Sequence, residues 1–168
     1  MENRYQKHIN LTGFDTKKQE AIAKASVLIV GIGGLGCAVV QALAGYGIGR
    51  IGLVDADVIQ LSNLHRQWIY SEADIGCAKV DKARQYIHTH NSEISIDTFP
   101  VFLHQKNVNA ILKDYDIIVD CTDNFLCRYI LSDACVLLQK PFVHGAIFQY
   151  EGLVTVLNCT EEKFNYRD

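Results

Sequence analysis

The amino-acid sequence predicts an α/β fold in which a mostly parallel sheet carries helices on both faces. Three dense apolar runs, at residues 27–30, 51–54 and 116–120, are typical of strands buried on both sides of a sheet. Stretches with helical spacing separate these runs, and this alternation favours parallel strands joined by helical crossovers. The length of 168 residues suits one compact domain, which we assign to residues 1–168.

The first predicted elements are a helix over Lys17–Lys24, a strand over Val27–Val30 and a helix that starts at Leu35. Apolar side chains recur at helical spacing after the start of this second helix. The helix is predicted to end in a region with three glycines, Gly45, Gly47 and Gly49. A second strand, Ile51–Val54, follows.

The rest of the chain continues the alternation of helix and strand. In chain order we predict a helix Lys79–His90, a strand Ile94–Thr98, a helix Lys106–Leu112, a strand Asp116–Asp120, a helix Asn124–Leu138, and strands Phe142–Ile147 and Gly152–Leu157. The last two strands are interpreted as a hairpin around Tyr150-Glu151. Ligands of such sheets gather at the carboxyl ends of the strands, where Asp55 and residues 120–124 lie.

A glycine-rich motif, GIGGLG, joins the first strand to the next helix. Its glycines are Gly31, Gly33, Gly34 and Gly36. They allow a tight turn and let a phosphate approach the N–H groups at the helix start. Asp55 follows at the position of a ribose-binding carboxylate, about 20 residues on. These features predict a Rossmann-like nucleotide site, but they suit both a nicotinamide cofactor and a triphosphate.

Composition and charge limit the classes of function. Residues 25–49 carry no charge and are long enough to span a bilayer, but their clustered glycines favour a strand, turn and helix instead. The net charge of −3 gives no reason to expect a nucleic acid or an anionic membrane as partner. The polar N-terminus MENRYQKH is not a secretory signal. We therefore expect a cytoplasmic protein.

The six cysteines form no CxxC pair, and several lie inside apolar runs. We interpret them as reduced, mostly buried thiols. A zinc site built within this chain is not expected, because the usual ligand spacing is missing.

Three further stretches carry polar groups. SNLHRQ, residues 62–67, contains donors that suit phosphate oxygens, although by itself it is typical of a polar surface loop. Lys79 near a helix start is, taken alone, typical of a solvated lysine. In DCTDN, Asp123 offers a carboxylate that suits magnesium. Alternatively, Asp123 or Asn124 caps the following helix.

In their order and spacing, GIGGLG, DAD, SNLHRQ, GCAKV and DCTDN resemble the MoeB/ThiF/HesA family. These adenylating enzymes of molybdopterin and thiamine biosynthesis are bacterial relatives of the ubiquitin-activating enzyme. The opening RYQKHINLTGF is similar too, so the resemblance runs from Arg4 to about Leu157. It implies that the nucleotide is ATP and not NAD.

The resemblance also implies the role of each matching residue. Besides the glycine loop, the residues implied to bind ATP are Asp55, Ser62, Asn63, Arg66, Gln67, Lys79, Asp123 and Asn124. Asp55 would bind the ribose, Arg66 would be the main charge clamp, and Asp123 would bind Mg²⁺. Lys79 would add a second cation. Lys7 stands where the family has an arginine that reaches the phosphates of the neighbouring subunit, which implies a homodimer.

The implied reaction is attack by the C-terminal glycine carboxylate of a ubiquitin-like sulfur-carrier protein, of the MoaD or ThiS type, on the α-phosphorus of ATP. Pyrophosphate leaves and an acyl-adenylate forms. The carboxylate is already ionised at neutral pH, so catalysis rests on alignment and on charge neutralisation rather than on a general base. The catalytic candidates are Arg66, Lys79, Asp123 and Lys7.

Some features depart from the family. Lysine at position 7 cannot form the bidentate fork of arginine. The family's paired CxxC motifs for zinc lie beyond the matched region, and the ending EEKFNYRD does not look like a completed sheet. We therefore expect this chain to be the N-terminal adenylation part of a longer protein.

Other classes of protein stay open. GIGGLG and Asp55 alone would suit an NAD-dependent oxidoreductase. A non-catalytic subunit of a heterodimeric activating enzyme is a second alternative. Within the adenylating class, the substrate could instead be a short peptide.

Overall fold

The computed structural model describes residues 4–159 and Tyr166. The strands are β1 (Ser26–Val30), β2 (Arg50–Val54), β3 (Ser95–Phe99), β4 (Ile117–Asp120), β5 (Phe142–Phe148) and β6 (Glu151–Leu157). The helices are α1 (Gln6–Ile9), α2 (Thr16–Lys24), α3 (Gly34–Tyr46), α4 (Lys79–His90), α5 (Val108–Leu112) and α6 (Phe125–Leu138).

The strands form one sheet in the order β3-β2-β1-β4-β5-β6. All neighbours pair in parallel except β6, which runs antiparallel to β5. The chain places β2 and then β3 on one side of β1, and it continues with β4 on the other side of β1. The strand order therefore reverses between β1 and β4, and a crevice at the carboxyl ends of these two strands is the expected ligand site.

Each face of the sheet is covered by its own apolar core. The side chains of β1 alternate between the two cores, as the period of a strand requires. Val27 and Ile29 pack with α3 and α4, whereas Leu28 and Val30 pack with α5 and α6. The predicted α/β architecture, with a mostly parallel sheet and helices on both faces, is confirmed.

Several element boundaries differ from the prediction. The helix α5 begins at Val108 and not at Lys106, because the Asn107 side chain turns back to accept the His104 N–H at 2.9 Å. The hairpin loop is Gln149-Tyr150 rather than Tyr150-Glu151, since Glu151 already pairs with Phe148. Gln149 provides the left-handed backbone of this short loop, with φ of 54°.

The N-terminal region was predicted least well. The short helix α1 was not predicted. The ending EEKFNYRD, expected not to complete the sheet, lies outside the described residues apart from Tyr166.

Residues 25–49 do not form one long helix. They contain β1, a glycine turn and the 13-residue helix α3. None of the helices in residues 4–159 is long and apolar enough to cross a membrane.

Candidate nucleotide site

A cleft of about 1130 Å³ opens at the carboxyl ends of β1, β2 and β4. The predicted site residues in its wall are Gly31, Gly33, Gly34, Asp55, Asn63, Arg66, Gln67, Lys79, Asp123 and Asn124. Three others lie elsewhere. Gly36 is buried in the first turn of α3, Ser62 is exposed beside the cleft, and Lys7 is exposed on α1. The structure therefore brings most of the predicted residues together at the switch point of the sheet.

Two glycines of the loop are required by packing. Gly31 has φ of +85°, and a Cβ there would stand 2.9 Å from the Cys121 carbonyl oxygen. A Cβ on Gly36 would stand 2.0 Å from the Gly31 oxygen. Any larger side chain at either position would push the turn away from β4. Gly36 thus packs inside the turn. For this reason it does not line the cleft, although it was predicted to do so.

The other two glycines line the cleft, and a Cβ on either would make only ordinary van der Waals contacts. A Cβ on Gly34 would lie 3.5 Å from the Arg66 side chain, and one on Gly33 would lie 3.7 Å from Nε2 of Gln67. Gly33 is the N-cap of α3 and offers no side-chain acceptor to the helix. The first N–H groups of a helix lack intrahelical partners, and the positive helix end attracts anions. An anion seated here would meet both α3 and Arg66.

The SNLHRQ stretch forms a wall of the cleft. It contains a 3₁₀ turn, Leu61–Asn63, and Nη1 of Arg66 donates to the Ser62 carbonyl at 3.2 Å. Gln67 is 2% exposed, and its Oε1 has no hydrogen-bond partner in the structure. An unmet buried oxygen is costly, which favours a polar ligand or water beside it. The alternative of a plain surface loop therefore does not describe this stretch.

Lys79 is the first residue of α4 and is only 5% exposed. Its Nζ lies 2.8 Å from Oδ2 of Asp57 and 3.9 Å from Oδ2 of Asp55. The interpretation as a solvated helix lysine is therefore wrong. A buried ammonium keeps its charge only beside such partners.

Asp55 ties the end of β2 to the glycine loop. Its Oδ2 accepts the Ile32 N–H at 2.7 Å, and its Oδ1 accepts the Asp57 N–H at 2.8 Å. Sequence reasoning missed Asp57, although it is the second carboxylate of the DAD motif. Its contact with Lys79 depends on two distant parts of the chain, so only the fold shows it.

The DCTDN stretch is organised by the buried Asp120. Its Oδ1 accepts the N–H and the hydroxyl of Thr122 at 2.9 and 2.7 Å, and its Oδ2 lies 2.8 Å from Nδ1 of His144. Asp120 and His144 are both fully buried. This pair, which the sequence did not reveal, fixes the loop that follows β4.

Asn124, and not Asp123, caps α6. The Oδ1 of Asn124 accepts the N–H groups of Leu126 and Cys127 at 2.9 and 3.3 Å. Asp123 is exposed and faces the cleft. Its carboxylate is therefore not used as the cap of α6.

Two cysteines also line the cleft, Cys121 and Cys127. Burial raises the pKa of the Cys121 thiol to about 12 and that of the Cys127 thiol to about 11. Both are therefore thiols at neutral pH, and neither is a ready nucleophile. The chemistry supported by this cleft is charge stabilisation rather than covalent catalysis.

Comparison with known proteins agrees with the geometry. The ThiF family profile matches residues 5–168. Adenylyltransferase and sulfurtransferase MOCS3 of Anopheles gambiae is 48% identical over 155 residues, which are 92% of this chain and 35% of that protein. A sulfur carrier protein adenylyltransferase of Thermus thermophilus is 42% identical over 156 residues, 93% of this chain and 58% of that protein.

Solved structures share the fold. The crystal structure of E. coli MccB with ATP has a TM-score of 0.81 and 30% sequence identity, and the match covers 87% of this chain and 45% of that one. The chain thus spans between 35% and 58% of the length of the three proteins compared.

Proposed function

Because the chain belongs to the ThiF family, we propose that it forms the ATP-binding part of an adenylyltransferase. The substrate would be the C-terminal glycine carboxylate of a ubiquitin-like sulfur-carrier protein of the MoaD or ThiS type. One observation carries the proposal. The glycine loop at the start of α3, the cations Arg66 and Lys79, and the carboxylate of Asp123 all line one cleft.

The residues suit transfer of an adenylyl group. The substrate carboxylate attacks the α-phosphorus, an O–P bond forms, and the bond to the β-phosphate breaks as pyrophosphate leaves with the electron pair. Arg66 and Lys79 would neutralise the phosphate charge that opposes this attack. Lys79 would exchange part of its contact with Asp57 for a phosphate oxygen.

Asp123 would hold Mg²⁺. Its exposed carboxylate at the cleft fits a hard cation, which prefers one or two carboxylates together with phosphate oxygens. In the part of the chain that the structure describes, no three His, Cys, Asp or Glu side chains cluster to hold a metal ion. The nucleotide would therefore supply further ligands. Bound Mg²⁺ would neutralise phosphate charge and orient the leaving group.

The remaining walls suit the nucleoside. Asp55 uses each carboxylate oxygen for one backbone N–H, and a carboxylate oxygen can accept a further hydrogen bond from a ribose hydroxyl. Val101, Phe102 and Leu103, which follow β3, form an apolar side of the cleft that suits the adenine ring.

The first prediction concerns nucleotide choice. ATP with Mg²⁺ should raise the melting temperature by about 5 to 10 °C at a concentration of 100 Kd, since a ligand stabilises the native state that binds it. NADH at equal concentration should have little effect, because the cations Arg66 and Lys79 suit a triphosphate. A larger shift with NADH would favour the oxidoreductase alternative.

Catalysis is tested in the same preparation. ATP–pyrophosphate exchange should depend on an added MoaD- or ThiS-type carrier, and the carrier that supports exchange identifies the pathway. ATP binding without exchange for any carrier or short peptide would favour a non-catalytic subunit.

A further inference from the structure

Arg128 is a buried cation in the cleft wall, and no described residue is its counter-ion. It is 8% exposed and lines the cleft, yet it forms no ion pair with any described residue. It also lies in the first turn of α6, where its N–H bonds the carbonyl of the N-cap Asn124. A cation is disfavoured at this end of a helix, and an unpaired buried charge is costly. An anionic ligand beside Arg128 would relieve both costs.

The guanidinium group is held so that one nitrogen is left for a ligand. Its Nη2 donates to the Thr122 carbonyl at 2.9 Å, and its Cζ lies 4.9 Å from the centre of the Phe125 ring. Its Nε is buried without a partner. Nη1 makes no hydrogen bond to a described residue and is not among the buried unpaired atoms. Arg128 can therefore offer the two N–H groups of one nitrogen, Nη1, from a fixed position.

The position of Arg128 separates it from the phosphate-binding cations. Lys79 begins α4, which packs on one face of the sheet, whereas α6 packs on the other. The cleft wall near Arg128 is apolar and includes Leu126, Cys127 and Ile147, two of which are largely exposed. Such a wall suits the last residues of a peptide better than a polyphosphate.

We propose that Nη1 of Arg128 binds the C-terminal carboxylate of the acyl substrate. This inference rests on the proposed adenylation and names the residue that receives its nucleophile. A contact through Nη1 alone would hold one carboxylate oxygen and leave the other free to attack the α-phosphorus. A two-point arginine fork would occupy both oxygens. The positive charge would also offset the repulsion between the carboxylate and the ATP phosphates.

The test compares two forms of one carrier, with a free C-terminal carboxylate and with a C-terminal amide. The carrier is the MoaD- or ThiS-type protein that supports exchange, and binding is measured with Mg²⁺ and a non-hydrolysable ATP analogue. The wild-type protein should bind the carboxylate form about tenfold more tightly, as expected for a charged hydrogen bond. Arg128→Met keeps the apolar stem and should bind both forms equally. Arg84→Met is the matched control, because Arg84 is an exposed α4 arginine outside the cleft, and it should keep the full preference.

The outcomes separate this inference from the proposed function. The role of Arg128 is supported if Arg128→Met keeps its ATP-dependent melting shift but loses the preference for the carboxylate form of the carrier. If it keeps the preference, the inference is overturned. Should Arg128→Met fail to fold, Arg128→Gln removes the charge but keeps a polar amide, and an undiminished preference there would overturn the inference equally.

Wild-type results separate the two ideas further. If the wild-type protein has exchange activity but binds the two carrier forms equally, the role of Arg128 is overturned and the proposed function is not. Absence of both carrier binding and exchange would overturn the proposed function, and the assignment of Arg128 with it.

Discussion

Of the neighbours Asp123 and Asn124, only Asn124 caps α6, although either residue type could. Both Asp and Asn are good N-caps, so the sequence alone could not assign the cap of α6. The backbone decides, because Asn124 has the extended conformation of an N-cap, with φ of −108° and ψ of 116°, and its side chain reaches two helix N–H groups. Asp123, the residue before this N-cap, lines the cleft.

The second prediction uses paired substitutions to separate the capping role of Asn124 from the proposed metal-binding role of Asp123. Asp123→Ala should abolish magnesium-dependent exchange with little loss of stability, because its carboxylate caps nothing. Asn124→Ala should lower the free energy of unfolding by about 1 kcal/mol, the usual cost of a lost cap. Urea unfolding and pyrophosphate exchange measure the two effects. A destabilised but fully active Asp123→Ala protein would contradict the assignment of Mg²⁺ to this residue.

At the scale of elements, the sequence predicts what is local. Buried parallel strands appear as apolar runs, and the glycine turn marks the start of α3, so these elements were predicted to within a few residues. The burial of Lys79 was not predicted, because it depends on Asp55 and Asp57 from another segment of the chain. The Asp120–His144 pair was missed for the same reason, since it joins two strands only once they are neighbours.

The start of α4, which places Lys79 in the cleft, is braced by a second pair. Nζ of Lys82 lies 2.8 Å from Oδ1 of Asp74, and Ser71 donates its hydroxyl and its N–H to the same carboxylate. Asp74 closes the 3₁₀ turn Glu72–Asp74 just before the helix. The hydrogen bond from Lys82, followed by those from Ser71, lowers the pKa of Asp74 from its usual value of 3.8 to about 2.

The third prediction follows from this lowered pKa. Because the folded protein binds the proton less tightly than the unfolded chain, the ionised Asp74 stabilises the fold above about pH 4, and this contribution is lost as the pH falls towards about 2. Asp74→Asn should therefore be less stable than wild type at neutral pH, by at most about 1 kcal/mol for so accessible a pair. Thermal unfolding from neutral to acid pH should show the difference fading. A difference that is constant with pH would contradict the electrostatic cause.

At the scale of the whole molecule, the predicted catalytic residue Lys7 lies on α1 and does not line the cleft of its own chain. The Tyr5 hydroxyl fills the space beside Gly47, the C-cap of α3. Gln19 links His8 to the carbonyl of Tyr46 through contacts of 3.1 and 3.0 Å. These contacts seat α1 at the C-terminal end of α3, about 20 Å from the glycine loop for a helix of this length.

This placement bears on how Lys7 could act. Its side chain is exposed and is not part of the cleft wall of its own chain. The sequence could not show this, because the four-residue α1 is held by contacts to residues far along the chain. Because the contacts of Tyr5, His8 and Gln19 hold α1 against α3, Lys7 lies on an anchored helix. A catalytic Lys7 would therefore have to reach the cleft of a second copy of the chain.

The last prediction concerns that delivery, which requires a symmetric dimer with two composite sites. Lys7→Ala should strongly reduce exchange, and Lys7→Arg should keep or improve it, because arginine adds a bidentate fork. An equal mixture of inactive Lys7→Ala and inactive Arg66→Ala chains forms mixed dimers, in which one of the two sites has both Arg66 and Lys7. With random pairing, about a quarter of the wild-type activity should return. The matched control mixes Lys7→Ala with the double variant Lys7→Ala/Arg66→Ala, which restores no site. If differently tagged chains co-purify as mixed dimers and the first mixture stays inactive, Lys7 does not act across the interface, and the loss of activity in Lys7→Ala arises within its own chain.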